Sequence, residues 1–296
     1  LEELEVLRRV IDLLPRLSHL EENLRRESLL KSSLFSARIE GNKLKLEDIS
    51  YFSLQKSTKD IEKTEVGNIL KALHWLYSGT GSKKINQKLI FKLHKFVMLN
   101  LSPEAGHSRK ELSAIFNQAG IAIYLTPPPS QISQLMNLLI KKINSKKEHG
   151  LVKAAVAHFT FEKIHPFLDG NGRVGRLLST FILKNSGFGF RGLVSLEEYF
   201  DKNRQDYYDL LANNGKDITD FVEFFLAGLA IQAEKVMDKI KDIKIELPQD
   251  SLLPRRQEIL AIVKDHKLVT FDFLKRRFAK VPPSTLHYDL KQLLEK

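Results

Sequence analysis

The chain has 296 residues, 43% hydrophobic and 28% charged, which is enough apolar content to build a buried core in one or two domains. It contains no cysteine, which excludes disulfides, cysteine-ligated zinc and thiol nucleophiles. No apolar run reaches the length of a membrane-spanning helix, and the acidic, amphipathic start Leu1-Glu-Glu-Leu-Glu5 is unlike a secretory signal. A soluble, cytoplasmic protein with no membrane partner is therefore expected. The net charge is +11, and residues 251–296 hold ten Lys or Arg against five Asp or Glu. Such a basic end suits nucleic-acid phosphates, or simply a solvated surface.

Helical spacing dominates the chain, so the expected fold is all-α. Leu1 to Arg26 predicts a helix interrupted at Pro15. Ser28 to Glu40 predicts a second, stopped by Gly41-Asn42. Asp60 to Leu76 and Asn86 to Leu99 follow as helices. Segment 109–126 breaks the pattern: Leu112 to Phe116, then Asn117-Gln-Ala-Gly120, then Ile121 to Leu125 predict strand, turn and strand, closed by Pro127-Pro-Pro129. Gln131 to Lys146, Leu151 to Lys163 and Arg173 to Asn185 are expected helices. Ser195-Leu-Glu-Glu198 has the form of a capping box and opens a helix through Tyr208. Ile218 to Ile240 predicts a long helix, and polar residues around Pro248 a linker. Gln257 to Lys264, Thr270 to Phe278 and Ser284 to Leu294 predict three short helices.

The chemistry concentrates in His165-Pro-Phe-Leu-Asp-Gly-Asn-Gly-Arg-Val-Gly-Arg176. Gly170 and Gly172 flank Asn171 and permit backbone conformations that turn successive N–H groups toward an anion. A helix starting there adds its positive end. Arg173 and Arg176 lie three apart on one face of that helix and suit phosphate contacts. Asp169, beside the nest, suits Mg²⁺ held jointly with substrate phosphates. His165 has a side chain suited to proton abstraction near neutral pH. Together they point to phosphoryl-type transfer from a nucleotide. Gly170-x-Gly-x-x-Gly175 also matches the loose dinucleotide fingerprint, but that motif needs a preceding strand, and a helix is expected here.

The same twelve residues meet every fixed position of the Fic family motif, His-x-Phe-x-Asp/Glu-Gly-Asn-Gly-Arg-x-x-Arg, and the chain resembles that family over about residues 20 to 240. Segment 109–129 resembles the family's flap, and Ser36-Ala-Arg-Ile-Glu-Gly-Asn42 its inhibitory motif. The resemblance implies protein adenylylation: transfer of AMP from ATP, with Mg²⁺, to a Ser, Thr or Tyr hydroxyl of a target protein. His165 would be the base and Asp169 the metal ligand. Gly170, Asn171 and Gly172 would cradle the phosphates through backbone N–H groups and the Asn amide. Arg173 would pair with phosphates near the metal, and Arg176 with the γ-phosphate. Ser36 and Glu40 would be regulatory, Glu40 inhibiting by taking Arg176 from the γ-phosphate. By spacing alone, without the motif, Glu40 reads as a solvent-facing carboxylate at a helix end. A γ-phosphate-transferring relative has alanine where this chain has Gly170, so glycine favours AMP transfer. AMP removal or transfer of another nucleotide group is the alternative reaction, and a DNA-binding regulator with a nucleotide-sensing core is the alternative class.

The implied organisation is an inhibitory N-terminal region at 1–59, a Fic core with a β-hairpin flap at 60–242, a linker at 243–253 and a helix-turn-helix domain at 254–296. That last domain resembles a winged helix and suits either DNA or protein. In the DNA reading, Ser284 to Leu293 is the recognition helix, with Arg276, Arg277 and Lys280 on phosphates. A free edge of the flap around Ile121 to Tyr124 suits strand addition by a target. Self-modification and homo-oligomerisation complete the expected partners. His158, His74 and Phe221, Phe224 and Phe225 read as packing. His94 shows no metal-ligand spacing, and Tyr199, Tyr207 and Tyr208 read as core or cavity lining.

Overall fold

A computed structural model describes residues 1–13, 18–49, 60–79, 84–116, 122–213, 215, 217–242, 253–266 and 269–294. The expected kink at Pro15, the hairpin turn, and all of the linker except Leu253 lie outside these residues. The chain divides into two compact units, Leu1–Asp238 and Lys239–Lys296.

The first unit holds helices α1 (Glu2–Leu13), α2 (Ser18–Ile39), α3 (Leu46–Ile49), α4 (Ile61–Tyr77) and α5 (Gln87–Val97). Strands β1 (Ala114–Phe116) and β2 (Ala122–Leu125) come next. Helices α6 (Pro129–Ile143), α7 (Gly150–Ile164), α8 (Asn171–Asn185), α9 (Leu196–Lys202), α10 (Arg204–Ala212) and α11 (Thr219–Asp242, of which residues 239–242 fall in the second unit) follow, so among the described residues the fold is all-α with one hairpin. Starts are set by side chains: the Lys63 N–H donates to Asp60 Oδ1 at 3.2 Å and the Leu89 N–H to Asn86 Oδ1 at 2.9 Å. Pro129 opens α6, two residues before the expected start, because proline suits the first helical position.

Three expectations are corrected. Residues 26–28 do not separate two helices: α2 runs unbroken, since nothing there stops it. Ser195 precedes α9 without capping it, and its buried hydroxyl has no hydrogen-bond partner. The helix expected to run through Tyr208 is two, α9 and α10, parted at Asn203 where φ is −114° and ψ 43°.

Helices α7 and α8 form the centre. Helix α6 packs on α7, while α2, α4 and α5 pack on α8. The close α7–α8 approach depends on Gly175, where a Cβ would stand 2.3 Å from Glu162 Oε1 and 3.1 Å from His158 Nδ1. Helix α2 is no surface addition. It packs against α4 and α9, and Leu29, Leu30, Ser33, Leu34, Phe35 and Ala37 are all buried. The strands are antiparallel, pairing Ala114 with Leu125 and Ile115 with Tyr124, and the register slips between Ile115 and Phe116.

The second unit contains α12 (Pro254–His266), α13 (Phe271–Arg277) and α14 (Pro283–Leu294), closed over Ile259, Leu274 and Leu286. Asp289, buried in this unit, accepts from Arg255 Nε at 2.6 Å and Arg256 Nε at 2.8 Å.

If α2 is part of the core, Leu34→Ala costs about 2–5 kcal/mol of unfolding free energy, because the fully buried leucine leaves a cavity. Denaturant titration measures this, and a cost near zero would contradict the packing described.

Candidate active site

Helix α7 ends at His165, whose φ of 48° and ψ of 61° are left-handed. This conformation turns the chain out of the helix and into the loop before α8. Phe167, fully buried, anchors the loop, and Asn171 staples it: the Phe167 N–H donates to Asn171 Oδ1 and Asn171 Nδ2 donates to the Phe167 carbonyl, each at 2.9 Å. The Asn171 amide is therefore engaged with the loop main chain, and Asn171 also lines the cavity described below. Gly170, at φ 80°, precedes the first turn of α8. A Cβ there would also stand 2.8 Å from Met98 Sδ, so glycine is required on two counts.

The ring of His165 has a defined tautomer. Its Nδ1 lies 3.3 Å from the Glu162 carbonyl, which can only accept, so Nδ1 carries the hydrogen and Nε2 is the basic nitrogen. Burial lowers its pKa below the ordinary histidine value, with smaller opposing effects that include the Glu40 charge.

The two arginines differ in their company. Buried Arg173 donates to Asp169 Oδ1 at 2.9 Å and Glu65 Oε1 at 3.2 Å, and Asn42 Nδ2 donates to Glu65 Oε2 at 2.8 Å. Asp169 also accepts from the Gly170 N–H at 2.5 Å, and its side chain is 63% exposed. Arg176 is buried deeper in the site. It donates to Ser36 Oγ and to the Ser36 carbonyl, each at 2.9 Å, to Glu40 Oε1 at 2.8 Å, and to the Tyr207 hydroxyl at 3.4 Å. Burial disfavours the charge of Arg176, and Glu40, together with Tyr207 and Glu162, more than restores it, leaving the pKa raised.

Glu40 follows the last residue of α2, where Gly41 at φ 102° ends the helix and the Tyr208 hydroxyl donates to the Ile39 carbonyl at 2.7 Å. The carboxylate reaches across to the first turn of α8: a Cβ on Gly172 would stand 2.2 Å from Glu40 Oε1. An anion thus rests where the helix start and Arg176 converge.

Around this point opens a cavity of about 730 Å³, lined among others by His165, Asp169, Arg204 and Tyr208, with Ile115 and Tyr124 contributed by the hairpin.

Several residues here carried no functional signal in the sequence. His94 stacks on Phe167 at 3.7 Å; its Nδ1 accepts from the Gly106 N–H at 2.9 Å, and its Nε2 donates to the Asp169 carbonyl at 3.0 Å. It is a neutral strut holding the loop, its pKa pushed by burial down to about 4. Glu162 lies under Gly175 with one buried oxygen lacking a partner, and burial pushes its pKa up to about 8. His158 is packed among aromatic rings, as expected, but it also bonds the Tyr207 hydroxyl at 2.8 Å. Only proximity in the fold marks these residues.

Residues 84–183 match the Fic/DOC family. The chain is 31% identical over 211 residues to a protein adenylyltransferase Fic of Aedes aegypti, covering 67% of this chain and 40% of the relative. It is 30% identical over 236 residues to the Drosophila erecta protein of the same name, covering 76% and 44%. The chain thus spans less than half the length of these curated relatives. Among solved structures, a Fic family protein from Desulfovibrio desulfuricans G20 superposes with a TM-score of 0.67 at 26% identity, covering 83% of this chain and 76% of that one. A fragment of Fic-1 from C. elegans gives 0.68 at 25% identity, covering 81% and 72%. The motif, the helical fold built around it and these likenesses agree: the chain belongs to the Fic/DOC family.

Proposed function

We propose that this chain is a protein adenylyltransferase, moving AMP from ATP to a Ser, Thr or Tyr hydroxyl of a target protein, and that Glu40 holds it inhibited. The observation that carries the reading is the Glu40 carboxylate on Arg176 at the start of α8. A site that accepts a carboxylate there has the charge and the donors for a terminal phosphate.

In this reading His165 Nε2 takes the proton of the target hydroxyl. The oxygen attacks the α-phosphorus and pyrophosphate leaves. The N–H groups at the start of α8 hold phosphate oxygens, and the catalysis is mainly positioning and charge stabilisation. Arg176 holds the γ-phosphate once Glu40 and Ser36 yield. Arg173 serves the phosphates near the metal while keeping Asp169 in place. A Mg²⁺ ion fits the residues present: Asp169 is an exposed carboxylate beside the anion site, and Mg²⁺ binds through one or two carboxylates plus substrate phosphates. When bound it would neutralise charge on the α- and β-phosphates. The curated relatives' name, protein adenylyltransferase, supports the same reaction and ATP as donor.

The Glu40 charge also acts on His165, which suits AMP removal by the same site as a second reading. The target, self-modification, a homo-oligomer and a cytoplasmic setting belong to this proposal as well. No helix among the described residues is long and apolar enough to cross a membrane. For the second unit we propose DNA binding. Arg276, Arg277 and Lys280 are exposed on and just after α13, and Ser284 and His287 are exposed on α14.

The reaction is tested with ATP labelled at the α-phosphate, counting label on protein. Glu40→Gly is expected to raise it roughly ten- to a hundredfold, the equivalent of one charge-assisted hydrogen bond of about 1.5–3 kcal/mol. Adding His165→Ala is expected to remove ~10²–10⁴-fold of that rate. Label retained from the γ-phosphate instead would show kinase-like chemistry. The lowered His165 pKa sets the pH response: its imidazole stays unprotonated through neutrality, so transfer by Glu40→Gly falls only as pH drops below the ordinary histidine value. A fall beginning at pH 7 or above would contradict this assignment. For the second unit, duplex DNA affinity of the full chain is expected to drop with salt, and Arg276→Ala with Lys280→Ala to lower that log–log slope by about 2. No salt-dependent affinity would leave a protein-docking unit.

A further inference from the structure

Arg109 lies outside the His165–Arg176 segment, and the roles above leave it unused. It is 5% exposed, and its guanidinium reaches three main-chain carbonyls. Nε donates to His165 at 2.7 Å, Nη1 to Glu111 at 2.7 Å and Nη2 to Pro127 at 2.5 Å. Its own N–H donates to the Pro166 carbonyl at 3.0 Å. Glu111 precedes β1 and Pro127 follows β2. One planar cation therefore ties both legs of the hairpin to the main chain of the candidate base.

The hairpin also closes on itself without Arg109. The Thr126 N–H and hydroxyl both donate to the Ser113 carbonyl, at 3.1 and 2.7 Å. What depends on Arg109 is where the closed hairpin stands relative to His165. The bond to the His165 carbonyl also braces a left-handed backbone that a non-glycine residue adopts only when its surroundings hold it. A guanidinium suits this task because its donors form a rigid fork; the point charge of a lysine cannot reach three carbonyls in one plane.

We propose that Arg109 is a positioning residue, holding the hairpin in register with His165 so that a target segment laid along the hairpin presents its hydroxyl to Nε2. The catalytic consequence rests on the AMP-transfer reading, while the clamp itself does not. Clamp and catalytic consequence are therefore measured separately.

The clamp is read by distance. The chain has no native cysteine, and Leu125 on β2 and Leu138 on α6 are both exposed, so Leu125→Cys with Leu138→Cys gives two unique nitroxide positions. Pulsed electron paramagnetic resonance of the full chain should show a narrow distance distribution that broadens with Arg109→Lys and Arg109→Ala. An unchanged width overturns the proposal whatever the enzyme does. The consequence is read in the Glu40→Gly background as self-labelling from α-phosphate-labelled ATP. Both variants should lose ~10²-fold in kcat, the scale of an ångström-level misplacement, with KM for ATP unchanged. Millimolar guanidinium should restore part of the rate to Arg109→Ala and none to Arg109→Lys. Parallel loss of ATP affinity and melting temperature without rescue would mean a merely structural arginine and overturn the proposal. A broadened distribution while Glu40→Gly itself transfers nothing would sustain the clamp and sink the AMP-transfer reading.

Discussion

The buried guanidinium of Arg176 is the constraint around which the rest of the site is arranged. A charge in that position is costly unless an anion and hydrogen-bond acceptors answer it. Ser36 supplies two acceptors and the Tyr207 hydroxyl a third. Two other titratable neighbours supply little charge. Burial pushes Glu162 up to about 8 and His158 down to about 3, so both are largely neutral at pH 7, and buried Glu197 is pushed in the same direction as Glu162. The negative charge that meets Arg176 is Glu40. An arginine in these surroundings calls for an anion in every working state of the protein, and a carboxylate and a phosphate compete for the same place. On the proposed reading, inhibition and nucleotide recognition are two occupancies of one charge site.

The glycines show how closely the backbone is fitted to that site, each for a separate reason. Gly170 has a positive φ and lies against Met98; Gly172 leaves room for the Glu40 carboxylate; Gly175 lets α7 and α8 approach over Glu162 and His158. Their spacing imitates the dinucleotide fingerprint, but helix α7 precedes them, and the third glycine packs helix on helix rather than helix on strand. The Glu40 carboxylate is held as firmly as the cradle. Helix α2 is buried between α4 and α9, and Tyr208 fixes its last turn. Release of Glu40 therefore calls for a change at the end of α2, since departure of the whole helix would empty part of the core.

The legible part of the site was its local part. His165 to Arg176 are consecutive in sequence, and loop geometry and the helix start bring them together wherever the segment folds. The long helices and the hairpin were likewise readable from periodicity and from prolines. The struts were not. His94 and Arg109 reach the loop, and Glu65 reaches Arg173, from distant positions that no spacing rule links to the motif. Asn171 was legible as part of the motif, but its second task, closing the loop on Phe167 through its amide, was not. Ser195 misled through local chemistry, because a cap-like pattern cannot report that the hydroxyl is buried without a hydrogen-bond partner. The break at Asn203 left no proline or glycine to read.

The claim that one charge site serves both Glu40 and a terminal phosphate is tested most directly by crystal structures of the wild-type and Glu40→Gly proteins, each soaked with a non-hydrolysable ATP analogue. The account predicts a γ-phosphate oxygen within hydrogen-bond distance of Arg176 in Glu40→Gly, and Glu40 still on Arg176 in the wild type with the phosphates displaced. A γ-phosphate away from Arg176 in the variant, or on Arg176 beside an unmoved Glu40 in the wild type, would contradict it.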